Sequence, residues 1–174
     1  MDVIDNELKI LIERSKKGDS VAFSQLYGVY ATDLFRFAMY MMGSREDAED
    51  AVQEAVFSAW RNIHTLNETL SFKGWLFKIL SNRCKTDLMK KNKAPDTLPV
   101  EDYTFFASDG EFSFDSAELK EALMSLTPPD GQIILLSVIG GFTSNELAEI
   151  YGMPASTIRS RQKRALEKLK VILS

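Results

Sequence analysis

Between Ser144 and Lys170 the chain reads SNELAEIYGMPASTIRSRQKRALEKLK. A helical pattern runs up to a glycine, the chain turns through Met153-Pro154, and a second helical pattern begins. Thr143 and Glu146 have the spacing of a capping box at the start of the first helix. Leu147, Ala148 and Ile150 give that helix an apolar side, and the small Ala148 permits close approach of a second helix. Gly152 stands where the chain must turn sharply, and glycine takes positive φ there at little cost. Pro154 suits the first turn of the next helix. On that helix Ile158, Ala165, Leu169 and Ile172 recur at i, i+7, i+11 and i+14, a stripe that can face a core. Ser156, Arg159, Ser160, Lys163 and Arg164 then point mainly away from it. The pattern is a helix-turn-helix, and its second helix carries the side chains that reach base edges and phosphates in a major groove. Taken alone, Arg164, Lys168 and Lys170 also suit a plain solvated basic face.

The charge supports a nucleic-acid reading. The 174-residue chain has a formal net charge of -4, yet residues 155–174 hold six cations against one acid, a local +5. Residues 73–93 hold seven cations against Asp87, a local +6. Residues 94–121 run the other way, eight acids against Lys120, a local −7. A surface built only for solubility would intersperse the signs. Positive charge opposite phosphate supplies much of the affinity for DNA and makes it salt-dependent.

Helical periodicity dominates, with no convincing alternation of strands. Asp19 or Ser20 can cap a helix carrying Phe23, Leu26, Tyr27, Tyr30 and Leu34. Ser44 and Asp47 have capping spacing before the clearest helix, where Ala48, Val52, Ala55, Val56, Ala59, Trp60 and Ile63 share one face. Asp47, Asp50, Glu54 and Arg61 lie on the opposite face. After the loop HTLNETLS a further helix runs from about Phe72 to Lys91. On it Lys78, Asn82 and Lys85 form one polar stripe, with Leu76, Ile79 and Leu80 opposite. The interleaved Phe72, Trp75 and Phe77 have two readings: core residues, or platforms for unstacked bases of a single strand. Core is the better reading for Phe77, and Trp75 suits either. The following stretch, with two prolines and a run of acids, has a linker's composition, although its five aromatics are unusual for a tether. The predicted fold is all-α, with two small helical domains at 1–91 and 115–174 joined by an acidic linker at 92–114.

Several classes are disfavoured. One cysteine, Cys84, allows no internal disulfide, and one histidine, His64, leaves too few ligands for a His/Cys zinc site. No P-loop or nucleophile elbow stands out, so neither a cofactor nor a small-molecule substrate is expected. The acidic N-terminus lacks an apolar leader core, and no apolar run reaches the ~20 residues of a membrane span, so the expected compartment is the cytoplasm.

Three segments carry a resemblance. DAEDAVQEAVFSAW (47–60), FKGWLFKILSNRCKTDLMKK (72–91) and LTPPDGQIILLSVIGGFTSNELAEIYGMPASTIRSRQKRALEKLK (126–170) are similar, in order and over nearly the whole chain, to the extracytoplasmic-function (ECF, group IV) subfamily of bacterial RNA polymerase sigma factors. The resemblance implies a first domain that binds core RNA polymerase and opens the −10 promoter element, and a second that reads the −35 element. The core-binding segment, which meets a coiled coil of the β′ subunit, maps onto Asp47–Ile63, with Asp50, Gln53, Glu54 and Arg61 as its contact set. The −10 loop maps onto His64–Ser71, beside Trp75, Lys78, Asn82 and Lys85. The −35 helix maps onto Ser156–Lys168, which adds Thr157 to Ser156, Arg159, Ser160, Lys163 and Arg164. The linker would thread toward the polymerase active-site channel, and an anti-sigma factor, often membrane-bound, would mask these surfaces. The chain departs from the pattern at Gln132, Ser156-Thr157-Ile158, Gln162 and Lys90-Lys91. Where Lys replaces Arg, a point charge replaces a planar fork, which alters promoter preference. Two rival readings remain: a stand-alone helix-turn-helix regulator, and an interaction module that sequesters a partner.

Overall fold

The computed structural model describes residues 3–67, 71–93 and 117–174. The regular structure among them is helical throughout, and the chain separates into two units, Met1–Tyr103 and Thr104–Ser174.

The N-terminal unit holds α1 (Val3–Lys16), α2 (Ser20–Met42), α3 (Arg45–Asn62) and α4 (Phe72–Lys93), with a short 3-10 turn at Ile63–Thr65. Its helix starts follow the local chemistry. Asp19 caps α2 by accepting from the Ala22 N–H at 3.0 Å, and Ser44 caps α3 by accepting from the Asp47 N–H at 3.2 Å. Between them Gly43 ends α2 in the left-handed conformation, φ 74°, where a side chain would be strained. α2 packs on α1, α3 and α4, and α3 packs on α4. α3 contributes four small residues to this core, Ala48, Ala51, Ala55 and Ala59, all buried. Their size lets larger groups fill the space: Phe23, Leu26, Leu34 and Phe37 from α2, and Phe72, Leu76, Phe77 and Leu80 from α4. Phe37 and Phe77 meet edge to face at 6.0 Å.

This unit differs from the sequence expectation in three places. α1 is an additional helix. α2 continues past Leu34 to Met42, burying Phe37, Ala38, Met41 and Met42. α4 runs through Lys93, slightly past its expected end near Lys91. The linker expected at 92–114 lies, from residue 94 on, outside the described residues.

The C-terminal unit holds α5 (Ala117–Met124), α6 (Pro128–Val138), α7 (Ser144–Tyr151) and α8 (Ala155–Leu173). α8 packs against the other three. α6 is buried over six consecutive residues, Gly131 to Leu136, so it has no solvent-facing stripe through its middle. Gln132 is the polar member of that run, and its Oε1 accepts from the Tyr151 hydroxyl at 3.2 Å. The capping box of α7 is complete: Thr143 Oγ1 accepts from the Glu146 N–H at 3.3 Å and the Glu146 carboxylate accepts from the Thr143 N–H at 2.8 Å. Gly152 closes α7 at φ 63°, a left-handed turn that re-aims the chain into α8. Pro154 sits one position earlier than expected, as the N-cap residue of α8, where its carbonyl accepts from Thr157 and Ile158. Ile158, Ala165 and Leu169 form the buried stripe of α8, but Ile172 is 44% exposed and is not part of it. Val171 and Leu173 are exposed as well, so the end of α8 lies outside the core of this unit.

Candidate nucleic-acid and polymerase interfaces

α8 is placed by its buried stripe and by polar ties on either side. Arg161 reaches Asp130 of α6 at 2.8 Å. Burial alone would raise the Asp130 pKa, but hydrogen bonds from Thr127 and Arg161 outweigh it and hold the carboxyl below its ordinary value. With those ties facing inward, Ser156, Arg159, Ser160, Lys163 and Arg164 are exposed and Thr157 is half-buried. The six expected residues therefore share the solvent side of one helix. Ser160 Oγ donates back to the Ser156 carbonyl at 2.9 Å, and Arg164 Nε to the Ser160 carbonyl at 3.3 Å. Arg159 and Lys163 have no partner among the described residues. Lys168, by contrast, is turned to the Ser125 carbonyl at the end of α5.

α4 carries the second basic surface. Phe77 is buried, as expected for a core residue, and Phe72, which had two readings, is buried as well. Trp75 is half-buried, with its ring 6.1 Å from that of Phe72. Lys78 is half-exposed and Asn82 and Lys85 are exposed, all within one arc of the helix. Thr86 and the exposed Met89 continue that arc toward the C-terminus. Residues 68–70 of the expected −10 loop lie outside the described residues.

The outer face of α3 brings together Asp50, Gln53, Glu54 and Arg61, all exposed. Phe57 sits among them, 57% exposed, with the Arg61 guanidinium 5.6 Å from its ring centroid. Phe57 was not among the residues expected on this face, although it lies three residues after Glu54 and outside the buried stripe. Aromatic side chains are enriched in protein interfaces relative to the rest of the surface. Two bridges join α3 to α4: Glu54 with Arg83 at 3.8 Å, and Asp47 with Lys91. Arg83 also holds Asp87 at 2.8 Å. Burial opposes ionisation of Asp47, yet hydrogen bonds from Lys91 and Ser44 leave its pKa lowered.

Comparison with known proteins decides what these surfaces belong to. The sequence matches the Sigma-70 region 2 family over residues 26–94 and the Sigma-70, region 4 family over residues 122–171. It is 30% identical over 157 residues to the ECF RNA polymerase sigma factor SigM of Mycobacterium tuberculosis, covering 90% of this chain and 79% of that one. It is 27% identical over 178 residues to the ECF RNA polymerase sigma factor SigW of Bacillus subtilis, covering 94% and 95%. The chain belongs to the ECF sigma factor family. Members of that family are alternative sigma factors, which direct RNA polymerase to promoters. Among solved structures, the sigma factor RpoE of Bartonella quintana, in complex with the anti-sigma factor NepR, aligns at a TM-score of 0.69 with 26% identity, covering 87% of this chain and 96% of that one. CnrH, solved with the cytosolic domain of CnrY, aligns at 0.72 with 21% identity, covering 96% and 97%, and supports the all-helical fold. Region 2 spans most of the N-terminal unit, which sets aside the stand-alone regulator reading for this sigma factor.

Proposed function

We propose that this sigma factor divides promoter recognition between its units, with 1–91 acting on the −10 element and core polymerase, 115–174 acting on the −35 element, and 92–114 connecting them. α8 enters the major groove, where Arg159 and Arg164 suit guanine edges or phosphates and Ser156, Thr157, Ser160 and Lys163 supply shorter contacts. The separated strand of the −10 element runs along Trp75, Lys78, Asn82 and Lys85 of α4. Extruding a base costs roughly a few kcal/mol of stacking, and stacking on an aromatic returns about 1–3 kcal/mol per base. The balance is near zero, so opening requires that core polymerase hold the unit in place. That hold is assigned to Asp50, Gln53, Glu54, Phe57 and Arg61 of α3, facing the β′ subunit. The relative solved with NepR supports an anti-sigma factor as a further partner.

The observation that carries this reading is the unpartnered pair Arg159 and Lys163 on the outer side of a capped helix-turn-helix in a region 4 domain. The test is run-off transcription by core polymerase with and without the chain. Promoter-specific transcripts are expected only with it; equal initiation in its absence would overturn the reading.

A further inference from the structure

Behind the exposed cations of α8 lies a polar contact that promoter binding and polymerase binding leave unused. Gln162 is half-buried, and its amide bridges two other helices. Nε2 donates to Ser137 Oγ of α6 at 2.6 Å, and Oε1 accepts from Ser144 Oγ, on the first residue of α7, at 2.9 Å. Ser137 in turn donates to the Ile133 carbonyl at 2.8 Å. Because its one proton is committed there, Ser137 can only accept from Gln162. The direction of each bond is thereby fixed: amide nitrogen toward α6, amide oxygen toward α7. One residue earlier, Arg161 holds Asp130 near the other end of α6. Adjacent residues of α8 thus tie down α6 at Asp130 and at Ser137, and Gln162 ties down α7 as well.

An apolar seam alone does not fix rotation well, because hydrophobic burial is non-directional. Hydrogen bonds weaken steeply with misalignment, and setting register is the best-attested role of polar groups inside helical interfaces. The roll of α8 about its axis decides where the tips of Ser156, Arg159, Ser160 and Lys163 lie. Recognition requires them to be held within about 0.5 Å and 10–20°. We propose that Gln162, through Ser137 and Ser144, is a positioning residue that sets the roll of α8 against α6 and α7 and so sharpens its choice of DNA sequence. The inference rests on α8 being the promoter-reading helix.

The test uses holoenzyme assembled from core polymerase and the full chain. Bound duplexes are selected from a pool randomised at the −35 position, and the ratio of affinities for selected over scrambled sequence is measured. Gln162→Met removes both hydrogen bonds at similar volume; Ser137→Ala and Ser144→Ala each remove one. Gln162→Met is expected to lower the ratio about tenfold while leaving scrambled-duplex affinity and its salt slope unchanged. Each serine variant should show a smaller drop, and Ser137→Ala added to Gln162→Met should add little, since the two act through one bond. A ratio within twofold of native in all three variants overturns the proposal, as does an equal loss on selected and scrambled DNA, which a merely structural role would produce. Should Gln162→Met fail to assemble, the serine variants decide by the same criteria. Arg159→Ala in the same assay separates the two levels: if it lowers the ratio and Gln162→Met does not, only the positioning role fails, and if neither does, the reading of α8 itself fails.

Discussion

The two basic helices of this sigma factor carry similar charge and use it differently. α8 leaves Arg159 and Lys163 without partners among the described residues, so its outer face presents uncompensated charge. On α4, Arg83 is held by Glu54 and Asp87, and Lys91 by Asp47, so acids of α3 and of α4 itself offset part of its charge. Phosphate attracts the first surface directly. At the second, Arg83 and Lys91 are already held by carboxylates, so phosphate would have to compete for those two. The difference fits the proposed roles: α8 would meet the duplex as it stands, whereas the separated strands proposed for α4 would exist only once polymerase is present. A partly compensated α4 would grip DNA less when polymerase is absent.

Removing the outward charge of α8 should have the largest effect. Arg159→Ala with Lys163→Ala is expected to lower promoter affinity about a hundredfold, because a bidentate base contact is worth about 1–3 kcal/mol and removing a cation that neutralises a phosphate lowers the salt slope by about one. Binding of the variant to core polymerase, measured by titration of labelled chain, should stay at the native value. Equal loss in both assays would mean that the α8 face is not specific to DNA.

The α3 stripe gives the next largest effect. Asp50→Ala with Glu54→Ala is expected to weaken core polymerase binding roughly tenfold, chiefly at low salt, since exposed charges act largely through association rate. An unchanged affinity would remove the stripe from the interface. A smaller effect sharpens the contrast between the helices. Neutralising the acids that hold α4, by Asp47→Asn and Glu54→Gln, should raise non-specific DNA affinity of the free chain about threefold, with a steeper salt slope. No change would mean that the bridges do not restrain α4.

How far these surfaces were legible in the sequence depended on contrast between faces. α3 alternates a buried alanine-rich face with an exposed acidic one, and both its period and its Ser44 cap could be read directly. The turn at Gly152 was legible for the same reason, because backbone geometry demanded a particular residue there. α1 offered less: Leu8, Leu11 and Ile12 are only half-buried and Ile10 is 51% exposed, so its apolar stripe is faint. α6 offers no such contrast between faces, being buried on every side through its middle. Phe57 was missed because an apolar residue in an amphipathic helix reads as core unless its phase is followed residue by residue. The bridges between α3 and α4 were out of reach, since Asp47 and Lys91 stand 44 positions apart and only packing brings them together. The Gln162 contacts were equally hidden, joining residues 18 and 25 positions away.

The smallest effect concerns the tie between α8 and α6. Asp130 and Arg161 are partly exposed, and Arg161 Nε is buried without a partner among the described residues, so desolvation offsets much of the pair's attraction. Asp130→Asn should therefore cost at most about 1 kcal/mol at neutral pH. The sign of its pH dependence follows from the lowered pKa of Asp130 in the folded protein. A carboxyl depressed on folding contributes stability above its unfolded pKa, near 4, and loses that contribution as pH falls through the folded value. Hydrogen-exchange protection of α8 amides should thus differ between native chain and variant by the same small amount at pH 7 and pH 5, and the difference should shrink below about pH 4. A difference that grew on acidification would mean that the folded protein raises the Asp130 pKa, with burial outweighing the hydrogen bonds from Thr127 and Arg161, and the ion pair would then not be what ties α8 to α6.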